Sequence, residues 1–211
     1  MPGEKILIEQ QYFGHIAYWS LLLSTQDVLL EAHEHYQKRS FRNKTELLSA
    51  QGRHMLTIPL VKGKHQQQPI QEVKIANQEP WQAVHIKTLQ TCYRSAPFYD
   101  HYQEEIKRLI LNEESHLWAY CLPITTWVSR QLNTNLNLMI SDKFEVSPMK
   151  GIKDKRNFFK PGQSVATFIP MPYAQVFENR LGFIENLSIL DLLFCYGPGT
   201  ANIINQSVWS V

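Results

Sequence analysis

Thirteen consecutive residues, Glu31-Ala-His-Glu-His-Tyr-Gln-Lys-Arg-Ser-Phe-Arg-Asn43, form the densest run in this chain of side chains that could do chemistry. Lys38, Arg39 and Arg42 have the fork and point charges that match phosphate or carboxylate oxygens. Tyr36 and Phe41 offer apolar faces for a sugar or a base. His33 and His35 with Glu31 alternate as an extended segment would, placing imidazoles and a carboxylate on one side, where zinc can bind. A catalytic zinc needs a third protein ligand, which would have to come from His15 or His54, so no metal site is assigned. As a plain alternative, the stretch is a solvated connection whose charges keep a loop soluble.

Other candidates are scattered. Gln10-Gln11-Tyr12-Phe13-Gly14-His15 sets a glycine and a histidine before a helix, whose free backbone N–H groups attract anions. That turn resembles the glycine–histidine turn of nucleotidylyltransferases, but Tyr12 and Phe13 stand where that pattern has its other histidine. His85 lies on a predicted helix beside Trp81 and Thr88, and an imidazole suits general acid–base work. Cys92 and Cys195 sit in apolar helical contexts, where burial raises a thiol and disfavours attack. There is no GxSxG elbow, P-loop or GxGxxG.

The elements that must position these groups follow from periodicity. Ile6–Ile8, a helix over Ile16–Leu23 and Asp27–Leu30 read as a βαβ unit of parallel strands, whose ligands collect beyond the strands' carboxyl ends. Residues 44–61 predict a hairpin turning at Gln51-Gly52, and Lys62–Gln68 a flexible surface loop. A helix starts near Trp81, capped by Asn77, with Trp81, Val84, Leu89 and Tyr93 on its buried side. Helices over 98–111 and 115–132 follow, the second kinked or broken by Pro123. Residues 141–172, rich in charge and proline, predict a mobile loop without regular structure. A capped apolar helix over 186–194 ends at Gly197-Pro198-Gly199. The fold class is therefore α/β: an N-terminal βαβ parallel core with an attached antiparallel hairpin, then a mainly helical C-terminal half. The organisation is one domain over 1–211, with an α/β part (1–76), a helical part (77–140), the mobile loop (141–172) and a C-terminal segment (173–211).

At 211 residues, with 44% hydrophobic and 19% charged residues, the chain has material for one apolar core. A net charge of +2, with acidic residues in every segment, argues against nucleic acid as a partner. Three dispersed cysteines, with no CxxC pair, suit a reducing cytoplasm. Neither a signal peptide nor a membrane span is expected.

Three blocks carry a resemblance: Tyr12-Phe13-Gly14-His15-Ile16-Ala17-Tyr18-Trp19, Tyr36-Gln-Lys-Arg-Ser-Phe-Arg-Asn43 and Leu56-Thr57-Ile58-Pro59. With Trp81, His85, Tyr93, Ala96-Pro97-Phe98 and the tail Asn186–Phe194, Gly197-Pro198, they occur in the order and spacing of the WbqC-like protein family, which the chain resembles over nearly its whole length. The resemblance implies a bacterial cytoplasmic protein of surface-polysaccharide assembly, modifying an activated sugar by acyl or aminoacyl transfer. It makes Tyr12, His15, Glu31, Tyr36, Lys38, Arg39, Arg42, Asn43 and Thr57 candidate substrate-binding residues, with His85 and His35 as candidate proton carriers. A sugar or nucleotide sugar is the implied ligand, and the cofactor is unknown. The competing readings are a non-catalytic module binding sugar-phosphate or protein, and a nucleotidyltransferase-like enzyme. Convergent histidines in a pocket would favour an enzyme, and a flat apolar patch at a sheet edge would favour the module.

Overall fold

A computed structural model describes residues 5–61, 68–132, 136–148 and 150–210. Strand β1 (Lys5–Glu9) is joined by helix α1 (Ile16–Leu23) to β2 (Asp27–Glu31) in the expected crossover. The two strands pair in parallel, Ile6 opposite Val28 and Ile8 opposite Leu30, and those four side chains are buried. Each such burial contributes roughly 1.5–3 kcal/mol. Gly14 makes the turn into α1 at φ +66, and a Cβ there would stand 2.8 Å from the Tyr18 ring.

Hairpin β3 (Lys44–Ser49) and β4 (Gly52–Thr57) turns where expected, with Gly52 at φ +103. Helices α2 (Trp81–Tyr93), α3 (Tyr99–Ile110) and α4 (Leu117–Gln131) match the predicted spans within a few residues. Two local expectations fail, and of the two outcomes expected at Pro123 a break is not seen. Asn77 accepts a hydrogen bond from the Trp81 indole instead of capping the α2 backbone. Val84 is 55% exposed, because Trp81, His85, Leu89 and Tyr93, four apart, take the buried stripe. Pro123 lies within an unbroken α4; it and Ala119, the residue whose carbonyl it orphans, are both exposed, so water can hydrate that carbonyl.

The larger departure concerns late residues. Strands β5 (Asn137–Ile140) and β6 (Ile152–Asp154) flank the β1–β2 pair, giving a four-stranded parallel sheet in the order β5-β2-β1-β6. One strand comes from the part expected to be helical and the other from the part expected to lack regular structure. Each is only three or four residues long and half-buried, too short to display a periodicity. A further short strand in the same stretch, β7 (Phe168–Ile169), pairs with β8 (Val208–Trp209). Of the expected loop over 62–68, residues 62–67 fall outside the described residues.

After a single turn, α5 (Glu178–Leu181), the chain ends in α6 (Ile189–Tyr196) and α7 (Thr200–Gln206), both packed on α1. The entry to α6 is stitched to the N-terminal unit: Leu187 O accepts from Ile16 N, Gly14 O from Ile189 N, and Glu46 O from Ser188 N. Among the described residues, the cleft on the sheet's opposite face, which carries Lys5, Leu7, Leu29, Met139 and Ile152, is lined by no helix and is partly walled by residues from 141–148.

Candidate functional site

Parallel strands bring their carboxyl ends to one edge, and the chain places an unusual density of buried charge there. Glu9, Glu31 and Glu34 are each at most 4% exposed. Glu31 accepts from Ser141 Oγ at 2.8 Å, from the His33 backbone at 2.8 Å and from Arg156 at 2.9 Å. Arg42 grips Glu34 with two parallel hydrogen bonds, Nε to Oε1 at 2.7 Å, and reaches Asn157 Oδ1 at 3.0 Å. Asn157 in turn donates its backbone N–H to Glu9 at 2.7 Å. Burial pushes the Glu34 carboxyl above its ordinary value in spite of that fork. Two buried atoms, Arg42 Nη1 and Gln11 Oε1, have no protein partner. The network ties the segment after β6 to the segments after β1 and β2.

On that edge lies a cavity of about 310 Å³, walled by the segments following β1, β2 and β6, by the hairpin and by the approach to α6. Its polar lining includes His15, Arg53, Glu46, Lys160, Glu185 and Asn186. Lys160 makes no ion pair among the described residues, whereas Arg53 pairs with Glu46 and donates to the Glu185 carbonyl at 2.7 Å.

His15 is the most constrained group in this wall. It caps α1, Nδ1 accepting from Tyr18 N at 3.0 Å, which assigns the ring proton to Nε2. Phe41 and Phe159 pack edge-on against the ring with centroids at 4.8 and 4.6 Å. Burial among these rings lowers its pKa to about 3, so the imidazole is neutral at physiological pH. It is thus a fixed, uncharged N–H donor on the cavity wall, suited to a carbonyl oxygen and unsuited to removing a proton.

The remaining predicted residues divide. Arg42 and Glu31 belong to the buried network. Tyr36 donates to Asn43 Oδ1 at 3.0 Å, and Asn43 Nδ2 donates to the Ile58 carbonyl, so both brace the strand entry. Lys38, Arg39, His33, His35 and Thr57 are exposed, and none of them lines the His15 cavity. Tyr12 is fully buried, its hydroxyl 3.1 Å from His85 Nδ1. His85 is itself buried between Tyr12 and Trp81, and burial lowers its pKa to about 4. Among the described residues no group of three or more His, Cys, Asp or Glu side chains is placed to hold a metal ion.

Sequence reasoning missed Glu9, Glu34, Asn157 and Arg156, and it also missed Asp191. The last is fully buried, accepting from Tyr93 Oη at 2.8 Å, Tyr173 Oη at 2.6 Å and Gln175 at 3.2 Å. Burial raises its carboxyl above the ordinary range. The one legible signal was a carboxylate inside the apolar run Ile189–Phe194, where an unpaired charge would be costly. All three cysteines are buried and reduced, and burial pushes each thiol up.

The model of the WbqC-like protein family matches residues 10–159, and the chain belongs to that family. The matched span contains β2, the hairpin, β5, β6 and His15, and it stops before Lys160 and α6. No curated protein and no solved structure matches the chain.

Proposed function

We propose that the chain is a transferase of surface-polysaccharide assembly that adds an acyl or aminoacyl group to the amino group of an activated sugar, working in the His15 cavity. The observation that carries this reading is a neutral N–H donor held rigidly beside cations and carboxylates, at the edge of a parallel sheet where ligands gather. At about 310 Å³ the cavity lies at the small end of ligand sites, which suits one sugar ring with the rest of the activated sugar lying outside. Lys160 and Arg53 face the phosphate that activates the sugar. Phe41 and Phe168 offer apolar surface to the ring. As the amine attacks the thioester carbonyl, His15 Nε2–H donates to the carbonyl oxygen on which negative charge builds and Glu185 accepts the proton that the amine sheds; the acyl C–S bond then breaks and the thiol leaves, taking up that proton.

The test is a thermal-shift and calorimetric screen against nucleotide-linked amino sugars and acyl thioesters, using wild type, Lys160→Ala and His15→Asn. Asparagine keeps the helix cap through its amide oxygen and replaces the imidazole N–H by a shorter amide that does not reach the same place. A sugar nucleotide that stabilises wild type and loses affinity with Lys160→Ala supports the reading. Binding untouched by both substitutions would place the site elsewhere.

A further inference from the structure

The open face of the parallel sheet holds a second cleft, of about 370 Å³, separate in its lining from the His15 cavity. Its floor is apolar: Leu7, Leu29, Met139 and Ile152 from all four strands, flanked by Ile140 and Pro148. The floor runs from Lys5, at the amino end of β1, to Glu31 and Ser141 at the carboxyl edge. Four residues of strand separate Lys5 from Glu9, the partner of Glu31, a length of about 13 Å.

The two ends differ in charge. At the carboxyl edge stand Glu31, Asp142 and Glu145 with two cations among them, and both are engaged: Arg156 pairs with Glu31 at 2.9 Å and Lys143 with Glu145 at 3.0 Å. At the other end half-buried Lys5 makes one side-chain hydrogen bond among the described residues, from its ammonium to the Met139 thioether at 3.7 Å. A cation in apolar surroundings with only a sulfur acceptor leaves donors unused, and a carboxylate is their natural complement. At the carboxyl edge both cations already hold carboxylates of the chain, so Lys5 is the end a carboxylate head prefers.

We propose that this cleft binds a linear aliphatic carboxylate, its head on Lys5 and its chain laid across Leu7, Leu29 and Met139 toward the carboxyl edge. The proposal goes beyond the transferase reading and does not depend on it.

Decanoate, decanol and decylamine serve as probes on the full-length chain, by calorimetry and by methyl NMR of the leucines and methionines. Decanoate is expected to bind and to shift the Leu7, Leu29 and Met139 methyls. Lys5→Met, which keeps the length and removes the charge, is expected to weaken decanoate by about tenfold or more while leaving decanol unchanged. Lys5→Arg should retain binding, which guards against a Lys5→Met protein that merely folds poorly. Lys160→Ala should leave decanoate affinity unaltered, separating this site from the first cavity. Absence of decanoate binding, equal affinity for decanol with no effect of Lys5→Met, or a preference for decylamine would each overturn the proposal.

Discussion

Replacing Arg42 by alanine tests whether this residue grips a ligand or holds the protein together. The Arg42 side chain is 2% exposed and forks onto the Glu34 side chain, 6% exposed, so removing it leaves a buried carboxylate without a counter-charge. Breaking a buried pair from one side costs about 3–5 kcal/mol. For a domain of this size each kcal/mol lowers the melting temperature by about 2–4 °C, so a fall of about 6–20 °C is expected. Tryptophan fluorescence in thermal and urea denaturation reads it, since Trp19, Trp81, Trp118 and Trp127 are buried. The penalty is also pH-dependent. Burial already raises the Glu34 carboxyl above its ordinary 4.5, and without Arg42 it rises further. A carboxyl raised on folding costs nothing below its unfolded value and increasingly more as pH climbs toward the folded one. The deficit of Arg42→Ala should therefore shrink from pH 7.5 to about pH 5, and Glu34→Gln in the same chain should recover part of it. A variant melting within about 2 °C of wild type, with no pH dependence in the difference, would refute the argument and return Arg42 to the ligand-binding candidates.

Further expectations follow from other buried groups. The lowered pKa values of His15 and His85, about 3 and about 4 against 6.5 unfolded, give stability that is full above pH 6.5 and lost as pH falls. Between pH 6.5 and 5 each should remove roughly 2 kcal/mol, so urea midpoints that stay flat across that range would count against both assignments. Asp191→Ala leaves the Tyr93 and Tyr173 hydroxyls without their acceptor and should cost about 2–5 kcal/mol, measured by urea denaturation; a loss under 1 kcal/mol would mean water reaches the cluster. Gly197→Ala puts a Cβ against the Phe98 ring at φ +59 and should cost at least about 2 kcal/mol, whereas Gly151→Ala, with nothing within 4 Å of its Cβ, should cost less in the same assay.

The parts of the fold that sequence reveals are those with local patterns. Ile16–Leu23 is read to the residue, and the hairpin turns at Gln51-Gly52, because helix composition and turn glycines are written within a few residues. Strands β5 and β6 are invisible to such reading. Their burial depends on lying beside β1 and β2, distant in sequence, and three or four residues carry no period of their own. The site divides in the same way. His15 was legible from the Gly-His turn before a helix. The roles of Tyr36, Arg42 and Asn43 were not, because a basic and aromatic run looks alike whether it faces a phosphate or, as here, turns inward to Glu34 and Ile58. Glu9 and Glu34 gain meaning only from Asn157 and Arg42, partners that no spacing rule connects.

The strand order β5-β2-β1-β6 bears on how this chain is made. The two central strands leave the ribosome first, and both of their flanks must wait for more than a hundred further residues. Until Ile140 emerges the β1–β2 pair has two bare edges and an apolar face, and until Asp154 emerges it still has one, the condition that invites mispairing and chaperone capture. The seal over α1, supplied by residues 187–206, arrives later still. Folding is therefore a post-translational closure of distant segments, with the high contact order that makes such closure slow. A nascent chain stalled before residue 155 should remain protease-sensitive throughout its first fifty residues, even though they contain half of the finished sheet.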